Sequence, residues 1–217
     1  MISENVTDSL LLVLRKLTRY YPIGIPLLRD HFSGYQEIIT TVGKKTSAVQ
    51  EGRLVTWNQL TGRVREHYPS MYDLAFLEEP SLKLVVPVFS KEEQMLERTV
   101  FLNLYLSLLV PCYSVFVSER LSSGKDFRYQ PHSIKQRIQY GKKYLVTCHR
   151  QCLSEKEQEG VDLLCGLVRA YYPGHQSIDF QTVTDFRLHG AVPFDRPADV
   201  PSAAHPISHF LYGPEHL

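Results

Sequence analysis

The stretch VFLNLYLSL, residues 100–108, decides the fold class. Every second position from Leu102 to Leu108 is leucine, and the alternate positions from 101 to 107 are Phe101, Asn103, Tyr105 and Ser107. This alternation is the period of a β-strand with one face against a core. The stretch therefore predicts a strand, and Cys112–Val117, which resumes in extended style after Pro111, predicts its antiparallel partner.

The same region must also be tested as a membrane helix. Thr99–Ser118 holds 14 apolar residues in 20, about the length that spans a bilayer. Polar residues and one proline interrupt the run at Asn103, Ser107, Pro111 and Ser114. Its β-branched and aromatic content favours strands. We therefore expect two buried strands and no membrane association.

Further elements extend the pattern to an α+β fold. Leu82–Phe89 predicts a strand in which Pro87 marks an edge or a bulge. Apolar residues at helical spacing predict helices near residues 6–21, 56–68 and 154–171. The last of these begins with a capping box at Ser154-Glu155-Lys156-Glu157. Together they predict a single domain with a mostly antiparallel sheet and helices packed on it.

Weaker patterns give further expectations. A turn or short helix is expected at Pro26–Phe32, a strand at Glu37–Val42, a polar loop at Gly43–Gly52, a helix at Lys91–Arg98, a helix at Ser133–Lys143, a strand at Tyr144–Cys148 and a strand within Ile178–Leu188. Residues 1–190 are expected to form the domain. Residues 191–217 contain five prolines and predict an extension that packs on the surface without regular structure of its own.

Composition indicates a globular intracellular protein. The chain has 217 residues, of which 43% are hydrophobic and 22% charged, and it can fold without disulfides. Its four cysteines are too sparse for a disulfide framework. The apolar run Leu10–Leu14 is followed by Arg15 and Lys16 and not by a cleavage site, so we expect no secretory signal and a cytoplasmic location.

Several catalytic and ligand motifs are incomplete. Val42–Ser47 resembles the end of a phosphate-binding loop, but Ile38 stands where that motif needs glycine, so a solvated basic turn is expected. A zinc site would need more than the grouped ligands Cys148, His149 and Cys152 with the distant Cys165.

No nucleophile motif is present, and pairs such as Glu78-Glu79 and Glu92-Glu93 are expected to be solvated or capping groups. The histidines of the proline-rich C-terminus, His205, His209 and His216, are expected to be solvated as well. We predict no metal, no cofactor and no catalytic residue.

The charge distribution is the feature that stands above background. Residues 120–150, called here the basic segment, hold eight lysines and arginines against Asp126, a net charge of 8 − 1 = +7 in a chain of net charge +1. The cations are Arg120, Lys125, Arg128, Lys135, Arg137, Lys142, Lys143 and Arg150. Phe127, Tyr129, Tyr140 and Tyr144 are interleaved with them. Charge runs are often simply solvated or covered by neighbouring acids.

These observations predict a non-enzymatic protein-binding module, of the adaptor or toxin-neutralising type, that meets an acidic partner through the basic segment. The predicted contact residues are Arg128, Lys135, Arg137, Tyr140, Lys142 and Lys143. Two alternatives stay open. The same segment suits a nucleic-acid backbone, with aromatics to stack on bases, and an enzyme is possible whose site is assembled from scattered residues.

Overall fold

Helices lie on both faces of a mostly antiparallel sheet in the computed structural model, which describes residues 4–93, 96–123, 145–150, 152–194, 196 and 204–213. The α-helices are α1 (Glu4–Tyr20), α2 (Ser33–Gln50), α3 (Val55–His67), α4 (Glu155–Tyr171), α5 (Phe180–Asp185) and α6 (Ile207–Tyr212). A 3₁₀ helix covers Pro26–His31, where a turn or short helix was expected. The predicted α+β class is confirmed.

The main sheet has the strand order β1-β2-β3-β4-β5, with β6 pairing in parallel with β4. The strands are β1 (Tyr72–Asp73), β2 (Ser81–Glu93), β3 (Leu96–Ser107), β4 (Cys112–Ser123), β5 (Leu145–His149) and β6 (Gln176–Ser177). A separate two-stranded sheet pairs β7 (Arg187–Leu188) with β8 (His205–Pro206). The three long strands are consecutive in the chain and antiparallel, as VFLNLYLSL and its neighbours predict.

Strand β3 is the centre of the fold because both of its faces are buried. Leu102, Leu104 and Leu106 belong to a core formed with α3 and α4. On the other face, Tyr105 belongs to a second core that includes residues of α1, α2, α5 and α6. The alternation therefore separates two cores, whereas the sequence pattern predicted a core on one face of the strand.

A bulge and a hairpin define the outer part of β2. The register between β2 and β3 shifts between Pro87 and Phe89, which confirms the predicted bulge. The helix expected at Lys91–Arg98 is wrong, because β2 continues to Glu93 and β3 begins at Leu96. The strand conformation is favoured over a helix because Arg98 on β3 forms two hydrogen bonds to Glu119 on β4, at 2.7 and 2.9 Å. A cross-strand pair of this kind needs extended backbone.

Helix α2 replaces the strand expected at Glu37–Val42 and most of the loop expected at Gly43–Gly52. Its β-branched residues suggested a strand, but Ile38, Val42 and Lys45 are buried along one face at helical spacing. Gly34 allows α2 to approach α1 closely. A Cβ atom at that position would lie 1.8 Å from the backbone oxygen of Arg19.

The helices predicted near residues 6–21, 56–68 and 154–171 are confirmed as α1, α3 and α4. The helix expected at Ser133–Lys143 lies outside the described residues. Helix α4 has the complete capping box, in which the Ser154 hydroxyl accepts from the Glu157 amide and the Glu157 carboxylate accepts from the Ser154 amide. Helices α1, α3 and α4 all end within two residues of a proline, at Pro22, Pro69 and Pro173.

The C-terminal part differs from expectation. The strand expected within Ile178–Leu188 is mainly the short helix α5, which begins at an Asp179 cap. The expectation of no regular structure beyond residue 191 is wrong at α6, where Phe210, Leu211 and Tyr212 are completely buried. The prolines flank this helix, at Pro206 and Pro214, and so they do not break it. The division at residue 190 stays a prediction.

The apolar run Thr99–Ser118 lies in β3 and β4 and the turn between them. Among the described residues, none of the helices combines the length and the apolar character needed to cross a bilayer.

Two glycines of α2 test its packing. Gly34→Ala should lower the free energy of unfolding by about 1–3 kcal/mol, because the added methyl group overlaps the backbone of α1. Gly43→Ala, on the same helix with no atom within 4 Å of the added Cβ, should raise it by roughly 0.5–1 kcal/mol. Denaturant unfolding measures both. Equal effects of the two changes would contradict the α1–α2 contact.

Candidate functional site

The basic segment joins two neighbouring strands. Ser122 on β4 pairs with Leu145 on β5, so the residues between these strands leave and re-enter the sheet at the same end. We call residues 124–144 the β4–β5 connection. The six predicted contact residues, Arg128, Lys135, Arg137, Tyr140, Lys142 and Lys143, lie in it and outside the described residues. By sequence the connection carries six basic residues and one acidic residue, a net charge of 6 − 1 = +5.

Arg150, at the end of the basic segment, is already matched by carboxylates. It forms an ion pair and hydrogen bond with Glu157 of α4, and its Nε lies 3.8 Å from Glu119 Oε2 on β4. Arg150 therefore does not contribute a free cation, and the net charge of +7 counted from the sequence overstates the positive charge that this surface offers to a partner. At the other end, the Arg120 guanidinium carbon lies 5.2 Å from the ring centroid of Phe101.

Two of the carboxylates near the connection, those of Glu119 and Glu157, are also occupied. Glu119 accepts the two hydrogen bonds from Arg98, and these, more than the neighbouring charge of Arg150, hold its pKa below the usual range. Glu157 binds both Arg150 and the Ser154 amide. The paired ends of β2 and β3, at Glu93 and Leu96, lie at the same end of the sheet, and these two strands carry Glu92, Glu93 and Glu97.

A second charged arrangement is buried. The Lys45 side chain is only 4% exposed, and its ammonium group donates to the backbone oxygens of Leu77, Glu79 and Ser81. The expectation of a solvated basic turn is therefore wrong at Lys45. The reason is that α2 presents this side chain to the loop before β2, whose carbonyl groups point inwards and need a donor.

Glu79 is buried in the same place, so the expectation that the Glu78-Glu79 pair is solvated is wrong for this residue. Its Oε2 lies 2.7 Å from Nζ of Lys83, which is 1% exposed and sits 4.8 Å from the ring centroid of Tyr105. Gly213 follows α6 with φ +77°, and a Cβ there would lie 2.7 Å from the Glu79 carboxyl carbon. The ion pair thus lies directly under the end of the C-terminal helix.

Hydrogen bonds connect this buried polar region of the sheet to α6. The Ser81 hydroxyl donates to the Tyr212 carbonyl oxygen at 2.7 Å, and the Tyr212 and Ser114 hydroxyls lie 3.0 Å apart. Complete burial raises the pKa of Tyr212 well above its usual value. These buried groups are bonded to one another, and so they fix α6 in place more than they offer a reactive site.

Within the described residues, the cysteines and histidines do not form a group of three or more side chains, with or without acidic residues, that could hold a metal ion. Burial raises the pKa of the Cys112 thiol to about 12, so it is not a thiolate at neutral pH. The His149 ring packs on Phe116 and Phe180, with centroids 5.2 and 5.0 Å away, and Cys152 is exposed. The Cys148 side chain is outside the described residues.

The expectation of solvated C-terminal histidines is wrong for two of the three. His205 on β8 and His209 within α6 are half-buried, because this part of the chain packs against the core, and His216 lies outside the described residues. Two surface clefts have volumes of about 70 and 60 Å³. Small-molecule sites are usually several hundred cubic ångströms.

Replacing Lys45 tests the buried arrangement. Lys45→Met should lower the free energy of unfolding at pH 7 by about 1–3 kcal/mol, because the carbonyl oxygens lose their donor. Lys44→Met, at the exposed neighbouring position on α2, should change it by less than about 0.5 kcal/mol.

The pH dependence gives an independent check. Burial lowers the pKa of Lys45 from 10.5 to about 8. Between these values the unfolded chain holds a proton that the folded chain has released, so the stability of the native chain relative to Lys45→Met should rise with pH. Paired urea titrations from pH 7 to 10 measure the difference, and a constant difference would contradict a buried, desolvated ammonium group.

Two arrangements of charged residues thus stand out. The first lies near the ends of the β4–β5 connection, where nearby glutamates and arginines form ion pairs with one another. The second is the buried group of Lys45, Glu79 and Lys83. Only the first lies next to a stretch of the chain, the β4–β5 connection, in which basic residues outnumber acidic residues. Comparison of the chain with protein-family models, with curated proteins and with solved structures finds no match.

Proposed function

We propose that this protein is a non-enzymatic, cytoplasmic protein-binding module that meets an acidic partner through the basic segment. The observation that carries the proposal is the net charge of +5 on the β4–β5 connection, together with the fact that Glu119 of β4 and Glu157 of α4 are already bound to Arg98 and Arg150. A cationic surface of this kind attracts an acidic protein and orients it during encounter. An adaptor or a toxin-neutralising protein would act in this way, by occupying its partner's surface.

The composition of the connection supports a contact surface. Tyr140 and the other aromatic residues lie among the cations in the sequence, and tyrosine and arginine are enriched at the energetic centres of protein interfaces. The location is proposed from the thiols. Cys112, Cys152 and Cys165 are free, as is usual where the compartment keeps cysteines reduced.

Nucleic acid is the second candidate, favoured by the same alternation of cations with Phe127, Tyr129, Tyr140 and Tyr144. The chain as a whole has a net charge of only +1, whereas dedicated nucleic-acid-binding domains are usually strongly basic. This difference favours the acidic protein.

Charge reversal tests the proposal. Partners are captured from the native host with the intact chain, and association with the purified partner is then timed at several salt concentrations. The double variant Lys135→Glu, Arg137→Glu should slow association by roughly tenfold at low salt and flatten its salt dependence. The matched control, Lys44→Glu with Arg65→Glu, reverses two exposed cations outside the basic segment and should leave the rate unchanged.

Equal association rates for the two double variants would contradict the proposal, as would a connection whose cations are neutralised by Glu92, Glu93 and Glu97 of the same molecule. Filter binding to single-stranded and duplex nucleic acid separates the second candidate. Tight binding that falls steeply with salt would favour nucleic acid over an acidic protein.

A further inference from the structure

A second surface, away from the basic segment, joins the start of α3 to β1. Its centre is the Asp73 carboxylate, which accepts hydrogen bonds from the Trp57 indole nitrogen at 3.0 and 3.1 Å and from the Ala75 amide at 3.0 Å. These residues line an open cleft of about 60 Å³. The cleft, called here the Trp57–Asp73 cleft, is bounded by Ala48, Val49, Gly52, Leu54, Trp57, Asn58, Asp73 and Ala75.

Large apolar side chains next to the lining residues are unusually exposed. Val55 is 62% exposed, Phe76 is 56% exposed and Tyr72 is 48% exposed, and each is adjacent in sequence to a residue of the cleft. Single exposed apolar residues are ordinary, but Val55 and Phe76 each follow directly on a residue that lines the same cleft, and exposed apolar side chains grouped in this way are typical of an interaction site. Aromatic side chains in particular are enriched at the centres of protein interfaces.

The carboxylate gives the cleft a defined chemical preference. Asp73 makes no ion pair with any lysine, arginine or histidine among the described residues. An ionised carboxylate can accept about four hydrogen bonds, so its two oxygens retain acceptor capacity beyond those from Trp57 and Ala75. A half-buried carboxylate that has no ion-pair partner favours a ligand with a positively charged group.

The size and rim of the cleft narrow the choice of cation. Its volume is far below the roughly 300–1,000 Å³ of small-molecule sites, so it fits the end of one side chain better than a whole metabolite. Arginine matches the combination of features, because its hydrocarbon stem and planar guanidinium pack on aromatic residues while its nitrogens bind a carboxylate as a fork.

We propose that the Trp57–Asp73 cleft binds an arginine side chain flanked by apolar residues on a partner protein. The guanidinium group pairs with Asp73, and the flanking apolar residues cover Val55 and Phe76. The protein then has two binding surfaces of opposite preference, one for an acidic partner and one for a basic segment. This surface stands independently of the β4–β5 connection, because none of its residues lies there.

The experiment uses the single tryptophan of the chain as a local reporter. A short amidated peptide with one arginine between two leucines is titrated into the full chain, and the indole N–H resonance of Trp57 is followed by NMR. A second peptide, with citrulline in place of arginine, has the same shape without the charge. The resonance should move and saturate with the arginine peptide and move much less with the citrulline peptide.

Variants assign the effect to the two parts of the surface. Asp73→Asn keeps one oxygen, Oδ1, that can accept from both Trp57 and Ala75 but removes the charge, and it should raise the dissociation constant by about tenfold. Phe76→Ser leaves Asp73 intact and should also weaken binding. Phe89→Ser, which removes a similarly exposed phenylalanine on β2, is the control and should bind as the native chain does.

Three results would overturn the proposal. The first is no movement of the Trp57 resonance, or equal movement with both peptides. The second is unchanged affinity in both Asp73→Asn and Phe76→Ser. The third is movement that depends on protein concentration without peptide, because a second copy of the chain would then occupy the cleft.

Discussion

Strand β3 must be buried on two faces at once, and the rest of the molecule follows from how each face is covered. The leucine face needs only apolar partners, which α3 and α4 supply. The opposite face carries polar groups into the interior, including Asn103, and the neighbouring positions of β2 and β4 add Lys83 and Ser114. Buried polar groups are costly unless they are bonded, so this face requires specific partners.

Most of those partners come from other elements of the chain. Asn103 donates to Ser118 on β4 at 2.9 Å, while Ser81 and Ser114 bond to Tyr212 of α6. Lys83 pairs with Glu79. A buried ion pair adds little net stability over an apolar pair, but loss of one partner alone is expensive. The polar face therefore fixes which segments cover it, and α6 is recruited into the core by this requirement.

Local signals of the fold were readable from the sequence, and signals that depend on distant contacts were not. The alternation from Leu102, the bulge at Pro87 and the capping box at Ser154 each act within a few residues, and all three are present. Helix α2 was missed because its β-branched residues favour a strand locally, whereas burial against α1 decides for helix. The helix expected after Ser90 does not form, because the pairing of Arg98 with Glu119 across strands favours the extended conformation.

The charged sites, too, could be predicted only where the signal is local in the sequence. Excess charge in the basic segment is a property of the sequence, but the carboxylates that bind Arg150 lie on other elements and become visible only in the fold. Lys45 resembled a solvated residue because its neighbours in the chain are polar, yet its acceptors are more than thirty residues away. Likewise, no local pattern links Trp57 to Asp73, sixteen positions later.

Native-state hydrogen exchange tests most directly whether the polar face of β3 binds α6 into the core. The amides of Ile207, which bonds to Phe186, and of Gly213, which bonds to His209, report on the two ends of α6. They should exchange with the same free energy as the amide of Tyr105 on β3, because loss of α6 exposes the buried polar groups and unfolds the domain. Exchange at Ile207 and Gly213 by local opening, while Tyr105 stays protected, would contradict this account.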